Sequence, residues 1–402
     1  MLKVITMVGT SIFTNYMKKE VIESFEEENE KEYQAIDRPF KKLENVEAGK
    51  SEEYKSYIGQ IERIIPKYWL EGWKKEGKEY KWEGKDYYNN DASAEIRSIL
   101  KIQKELKKDL DIYLLATDTI LSRLAAKLIQ KRLDNYKSSD NGLRIKAFFN
   151  EENDVVKGLQ VVDRTKFIKE GLVGLINKVY RITEDFSQPS ILNITGGYKA
   201  IIPYLTILGQ VNEVLTYYIF EDTEELIRIP QAPLGVNLEI FERYWEKFNL
   251  LEQEKVAEEN RLDFSFKEEA STTLEISDNL AALNPLGLML WKKYKSMYVF
   301  CYASDDVWKE IQGQRNIYRI LKDSFWDAQR RDSKTETKGE HLVYDDGRNQ
   351  NRIYYFERDG NIYIYKTFQS HDDAERYIKE SVNKEEIIGK SKVRKIKKEE
   401  VR

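Results

Sequence analysis

The residues with the clearest chemical potential are Gly196, Gly197, Tyr198 and Lys199, in the run ILNITGGYKA from Ile191 to Ala200. Two adjacent glycines let backbone come close to a ligand, and a helix start aims N–H groups and a positive dipole end at an anion. Lys199 adds a full positive charge in the first helical turn. A cation there opposes the dipole, so helix stability does not account for it, whereas a phosphate would. Alone, one Gly-Gly-x-Lys reads more readily as a tight strand-to-helix turn with a surface lysine. It is not a P-loop, because the Gly-x-x-x-x-Gly-Lys-Ser/Thr spacing is absent. Two other places gather small hydrogen-bonding side chains: Gly9, Thr10, Ser11 and Asn15 in MVGTSIFTNY, and Thr117, Asp118 and Thr119 in LLATDT. Thr10 or Ser11 is by default an N-cap for the next helix. Three such turns converging make a stronger signal than any one.

The elements that must position these turns follow from apolar periodicity. Leu2 to Val8, Asp111 to Ala116, Leu143 to Phe149, Ile191 to Thr195 and Glu213 to Phe220 read as strands. Helices are expected over Ala92 to Lys108, through Leu133, over Arg164 to Arg181 and after Gly197. Strands alternating with helices of this length predict a doubly wound, mostly parallel sheet. Ligands then lie outside the carboxyl ends of the strands, where all three polar turns fall. Residues 26–91 interrupt the pattern with a charged run and an aromatic, lysine-rich piece holding Trp69, Trp73 and Trp82. They read as an edge insertion, packed down by those tryptophans or offering them to a partner.

Pro230 and Pro233 close this first domain, at about residues 1–235. A connector of helical type is expected over 236–296, with helices at Asn237 to Leu251 and Ala281 to Tyr294. From 297 to 402 the pattern changes to a small α+β domain. Its Asp359-Gly360, between RIYYFE and NIYIYKTF, is a strong hairpin signal. The closing run GKSKVRKIKKEEVR is basic and reads as a solvated tail or an RNA-facing arm.

Composition narrows the function. The chain has 402 residues, 34% charged, with a formal net charge of -4, so any nucleic-acid contact must come from local basic patches. One cysteine, Cys301, excludes a disulfide framework and a cysteine-based metal site. No cofactor is implied. With no signal peptide and no apolar stretch long enough to span a bilayer, a cytoplasmic protein without membrane contact is expected.

In MVGTS with Thr14-Asn15, LLATDT and NITGGYKA, the first 235 residues resemble the CARF domain, the Rossmann-like sensor of CRISPR type III defence. The resemblance implies a homodimer that binds cyclic oligoadenylate, most commonly cyclic tetra-adenylate, across its interface. A twofold ligand suits such an isologous site. Residues from about Met297, through HLVYDDGRNQNRIYYFERDGNIYIYKTFQSHDDAERYI, resemble a RelE-type toxin, a ribosome-dependent messenger-RNA endonuclease. The combination is similar to CARF–RelE fusion proteins. HEPN, PD-(D/E)xK and zinc-deaminase effectors lack their motifs here.

The RelE resemblance places Arg352 on a strand facing RNA, with Lys366 and His371 after the last long strand and Lys334 and Lys338 standing in for a lysine cluster. Metal-free RNA cleavage needs a base for the 2′-hydroxyl, a cation for the phosphorane and an acid for the leaving oxygen. Arg352 suits the cation, and His371 or His341 suits proton transfer. Arg348 and Lys366 would hold the backbone. The bland alternatives are a helix cap for His371 and a strand-edge surface residue for His341. Tyr344, Tyr354 and Tyr363 would stack on bases or simply pack. The leading expectation is therefore a signal-gated messenger-RNA endoribonuclease that inhibits translation, with ring nuclease activity of the sensor as an addition. The alternative is a ligand-responsive regulator that binds nucleic acid without cutting it.

Overall fold

The computed structural model describes residues 1–18, 35–70, 73–75, 78–80, 89–136, 142–220, 225–233, 235–345, 347 and 350–398. The chain divides into two compact units, Met1–Ile240 with Leu251–Leu290 and Phe241–Leu250 with Trp291–Arg402.

The first unit is built on a mainly parallel sheet. Its strands are β1 (Leu2–Val8), then, after a separate hairpin of β2 (Trp73–Lys75) and β3 (Lys78–Tyr80), β4 (Leu110–Thr117), β5 (Ile145–Phe148), β6 (Val155–Val156), β7 (Ser190–Asn193), β8 (Leu215–Ile219) and β9 (Leu226–Ile229). The order is β5-β4-β1-β7-β8-β9, with β6 also on β4 and only β9 antiparallel. Apolar residues run almost without break along β1 and β4, as strands covered on both faces require. Val4, Val8, Ile112 and Leu114 pack on one side with helices Ala94–Leu106 and Ile120–Asp134. Ile5, Met7, Leu115 and Leu192 pack on the other, with Val173–Thr183 and Ile202–Val211. The mixed α/β architecture expected from the alternation is present, and the strand order puts β4, β1 and β7 side by side. Their three carboxyl-end turns are therefore neighbours.

The described part of the insertion belongs to this core. Leu43, Ile61, Ile64, Ile65 and Trp69 are buried in it. Trp69 donates from Nε1 to the Ala92 carbonyl and meets Tyr16 edge to face. Packing is thus the role of Trp69, while the side chains of Trp73 and Trp82 lie outside the described residues.

The stretch expected as a helical connector differs from its reading. After helices Glu239–Arg243 and Trp245–Glu254 come three antiparallel strands, β10 (Ala257–Glu258), β11 (Leu274–Ser277) and β12 (Leu280–Leu283). The helix expected from Ala281 begins only at Pro285 and runs to Ser296. The reason is the turn Asp278-Asn279, with φ of 54° and 60°. Two left-handed residues make the tight hairpin turn that Asp and Asn tolerate best, and this outweighs helical spacing.

The second unit carries a six-stranded sheet of β13 (Tyr298–Ala303), β14 (Thr335–Lys338), β15 (His341–Asp345), β16 (Arg352–Arg358), β17 (Asn361–Phe368) and β18 (Lys392–Lys397), ordered β14-β15-β16-β17-β13-β18. The Asp359-Gly360 turn joins β16 to β17 as expected, both residues at positive φ. The basic run near the end is corrected: Lys392–Lys397 is not a free tail or arm but pairs antiparallel along all of β13.

Candidate functional site

In the first unit the three polar turns meet. Tyr198, in the first turn after the glycines, sets its hydroxyl against those of Thr117 and Thr119, and burial pushes that hydroxyl's pKa up. Thr119 caps the following helix by accepting from Ser122 N–H, and Ser122 Oγ donates to the Val8 carbonyl at 2.7 Å. The end of β4 is thereby tied to the end of β1. Gly9 lies so close to Gly197 that a Cβ on it would sit 2.9 Å from the Gly197 nitrogen.

Beneath the turns lies a carboxylate that sequence reasoning missed. Glu95, 1% exposed, accepts from the Gly9 N–H at 2.8 Å and from Ser11 Oγ at 2.5 Å. Ser11 Oγ in turn accepts from Ala94 N–H. The available signal was placement: Glu95 stands four residues before Ile99, on the apolar stripe of its helix, where an acid is costly unless hydrogen-bonded.

The turns open on a cavity of about 210 Å³. Of the expected ligand residues, Gly9, Thr10, Thr117, Thr119, Gly197 and Tyr198 line it, with Leu121. Phe40, Glu44 and Asn45, from the insertion, complete the wall. The other expected residues stand elsewhere. Ser11 is turned to Glu95. Asp118 is nearly buried and accepts from Gly158 N–H, holding the loop after β6. Asn15 lies half-buried on helix Ser11–Tyr16, away from the lining. Gly196 is packed under the site, where a Cβ would meet the Met7 carbonyl at 2.2 Å. Lys199 is exposed and is not part of the cavity wall. A short 3₁₀ turn, Lys199–Ile201, precedes the α-helix at Ile202.

In the second unit, charge gathers around Glu375. This residue lies one turn after His371 on helix His371–Tyr377, whose N-cap is Ser370. Lys338, at the end of β14, donates to Glu375 at 2.8 Å and with the nearby charges of His371 and Arg352 holds that carboxyl below its usual range. The same bond, with Glu336 also near, raises Lys338. Glu375, which sequence reasoning did not single out, thus groups Lys338, Arg352 and His371 from three elements. His371 is exposed.

The remaining candidates are placed differently. Arg352, expected to face RNA, is 2% exposed and pairs with Asp345 at 2.8 Å. His341 is not a strand-edge surface residue. It is 1% exposed, with Nδ1 on the Tyr365 hydroxyl and Nε2 on the Glu380 carbonyl, among Tyr354 and Tyr377. Lys366 pairs with Glu310 at 3.4 Å rather than with the Glu375 group. Tyr344 and Tyr354 are fully buried and Tyr363 is nearly so, so packing is their role. Arg348 lies outside the described residues. Among the described residues no group of three or more His, Cys, Asp or Glu could hold a metal ion, and no helix is long and apolar enough to cross a membrane.

Sequence comparison now adds one family. Residues 90–232 are similar to the CRISPR-associated protein family Cas_APE2256. The match runs from the helix bearing Glu95 to β9, and so takes in the Thr117 and Gly196 turns but neither Gly9 nor the second unit. It supports an association with CRISPR systems. No curated protein matches the chain.

Proposed function

We propose that the chain is a ligand-gated endoribonuclease of CRISPR type III defence. In this reading its first unit is a dimeric CARF-type sensor for cyclic oligoadenylate, and its second unit is a RelE-like domain that cuts messenger RNA on the ribosome. The observation that carries the reading is the grouping of Lys338, Arg352 and His371 around Glu375. Two cations, an imidazole and a carboxylate within one small sheet domain are the parts metal-free RNA cleavage needs. The CRISPR-associated similarity and the convergence of three turns on one cavity support the sensor.

The roles follow from exposure. His371, open to solvent at the start of its helix, transfers a proton. Glu375, held ionised by Lys338, takes the 2′-hydroxyl proton or orients the histidine. Lys338 neutralises the phosphate once RNA displaces Glu375 from it. Arg352 reaches a phosphate only after its pair with Asp345 opens. Until then it orders the start of β16. His341, with both ring nitrogens bonded inside the aromatic cluster, holds structure rather than moving protons.

The test is single-turnover cleavage of a message on a stalled ribosome, with and without cyclic tetra-adenylate. Cleavage that needs both ribosome and ligand is the expected result. Binding of RNA with no cleavage under any condition would favour the nucleic-acid-binding regulator instead. The Lys199→Ala variant should bind cyclic tetra-adenylate more weakly, since an exposed lysine beside the site attracts phosphate.

A further inference from the structure

We infer that the cavity of the first unit is a compartment for an adenine base, read by the insertion through Phe40 and Asn45, and that the ligand's phosphates lie outside it. This rests on the cyclic-oligoadenylate reading above and assigns that ligand's parts. Among the described residues the lining contains no lysine or arginine, and it includes the carboxylate-bearing Glu44. Among those residues a phosphate would meet an acid and no cation, the reverse of what anion sites provide. Lys199, the lysine of the glycine turn, is exposed and outside the lining. The walls instead offer two aromatic rings, Phe40 and Tyr198, threonine hydroxyls and one side-chain amide, Asn45. Aromatic faces stack on bases, and an amide presents a donor and an acceptor side by side, matching the amino group and ring nitrogen of adenine. Volume agrees: about 210 Å³ is below the roughly 300–1,000 Å³ of pockets that enclose drug-sized ligands. One base fits, and a whole cyclic oligonucleotide does not.

The reading wall is firmly seated. Leu43 is fully buried in the core, and the Phe40 ring packs 6.3 Å from Phe13. The Val46 carbonyl accepts from the Ile120 N–H, and Glu47 pairs with Lys166 at 2.8 Å. Asn45, at the bend, has φ of 57°, a conformation asparagine tolerates and glycine adopts freely. Asn45→Gly therefore removes the amide while leaving the backbone its native geometry.

The probes are cyclic tetra-adenylate and its analogue with purine, lacking the 6-amino group, in place of adenine. Affinities are measured by calorimetric titration of the full chain, with a thermal melt to show that each variant is folded. Wild type should prefer the adenine ring by about tenfold, the worth of one net hydrogen bond. Asn45→Gly should bind both rings alike, and Phe40→Leu should weaken both alike. Glu44→Gln should change affinity by no more than about fivefold, as a charge off the phosphate does. A tightening well beyond that places phosphate in the cavity and overturns the inference. An Asn45→Gly protein that keeps the wild-type preference overturns it too, leaving the sensor reading intact. A wild-type protein that binds neither ring overturns the sensor reading, and this inference with it.

Discussion

Replacing Gly196 by alanine adds one methyl group at the most crowded point of the first unit. Its Cβ would lie 2.2 Å from the Met7 carbonyl oxygen, 2.4 Å from Glu95 Oε1 and 2.8 Å from Glu95 Cγ. Ordinary contact needs about a further ångström from each. Met7 cannot give it, because β1 is hydrogen-bonded to β4 on one side and β7 on the other. Glu95 cannot give it cheaply, because its two oxygens hold Gly9 and Ser11. The turn itself must move, at the upper end of overpacking costs, about 3 kcal/mol. At roughly 2–4 °C per kcal/mol the melting temperature of this unit should fall by about 6–12 °C. Gly197→Ala is the internal comparison. It faces left-handed strain at φ of 83°, about 1–2 kcal/mol, but its nearest neighbour is the flexible tip of Ile201 at 3.0 Å. The order of damage should be Gly196→Ala, then Gly197→Ala, in a thermal melt without ligand. Calorimetric titration should show Gly196→Ala losing more affinity for cyclic tetra-adenylate as well. A Gly196→Ala protein with wild-type melting and binding would refute the claim that Glu95 and β1 lock this turn.

Four other outcomes are expected. His371→Ala should slow single-turnover cleavage on the order of a hundredfold without shifting the melting temperature, since the side chain is exposed. Glu375→Gln should also slow cleavage and, by freeing Lys338, should raise affinity for ribosome-bound message, so a fall in rate with unchanged affinity would contradict their coupling. Asp345→Asn should destabilise the second unit by about 1–3 kcal/mol in urea unfolding, because it removes a charged partner of a buried arginine. Finally, burial alone would raise Glu242, but hydrogen bonds from Lys395, Tyr294 and Tyr298 hold it down at about 2. A lowered acid contributes stability above its ordinary pKa, so the contribution should be present at pH 6 and fade as pH falls from about 4.5 toward 2. Glu242 is more than half exposed, so about 1 kcal/mol is the ceiling after screening. Urea midpoints of wild type should fall more steeply across that window than those of Glu242→Gln, and parallel slopes would remove this pair from the acid response.

The parallel core was legible because its strands are short apolar runs ending in glycine or small polar residues. Leu110–Thr117 and Ser190–Asn193 fall within a residue or two of their expected bounds. The cavity was half legible. The turns announced themselves by composition, but Phe40, Glu44 and Asn45 come from a segment with no periodic pattern, and only the folded chain brings them to the site. Spacing along the sequence also cannot tell a buried histidine from an exposed one. His341 and His371 look alike as letters, yet one is enclosed by tyrosines and the other opens a helix in solvent, behind the Ser370 cap. The strand at Lys392–Lys397 was obscured by its charge. Three of its cations find acids, Lys392 and Arg394 on Asp305 and Lys395 on Glu242.

That strand has a consequence for the order in which the protein comes into being. β13 opens the sheet of the second unit in sequence, and the strand that pairs along its whole length, β18, is made after the other five strands of that sheet. A growing chain that has already made β13 through β17 still exposes one edge of β13, and the Glu242 carboxylate waits for Lys395. Vectorial synthesis therefore holds this sheet incomplete until β18 emerges. A protein proposed to attack messages on ribosomes would thus hold its own second unit unfinished for as long as β18 is still inside the ribosome that made it.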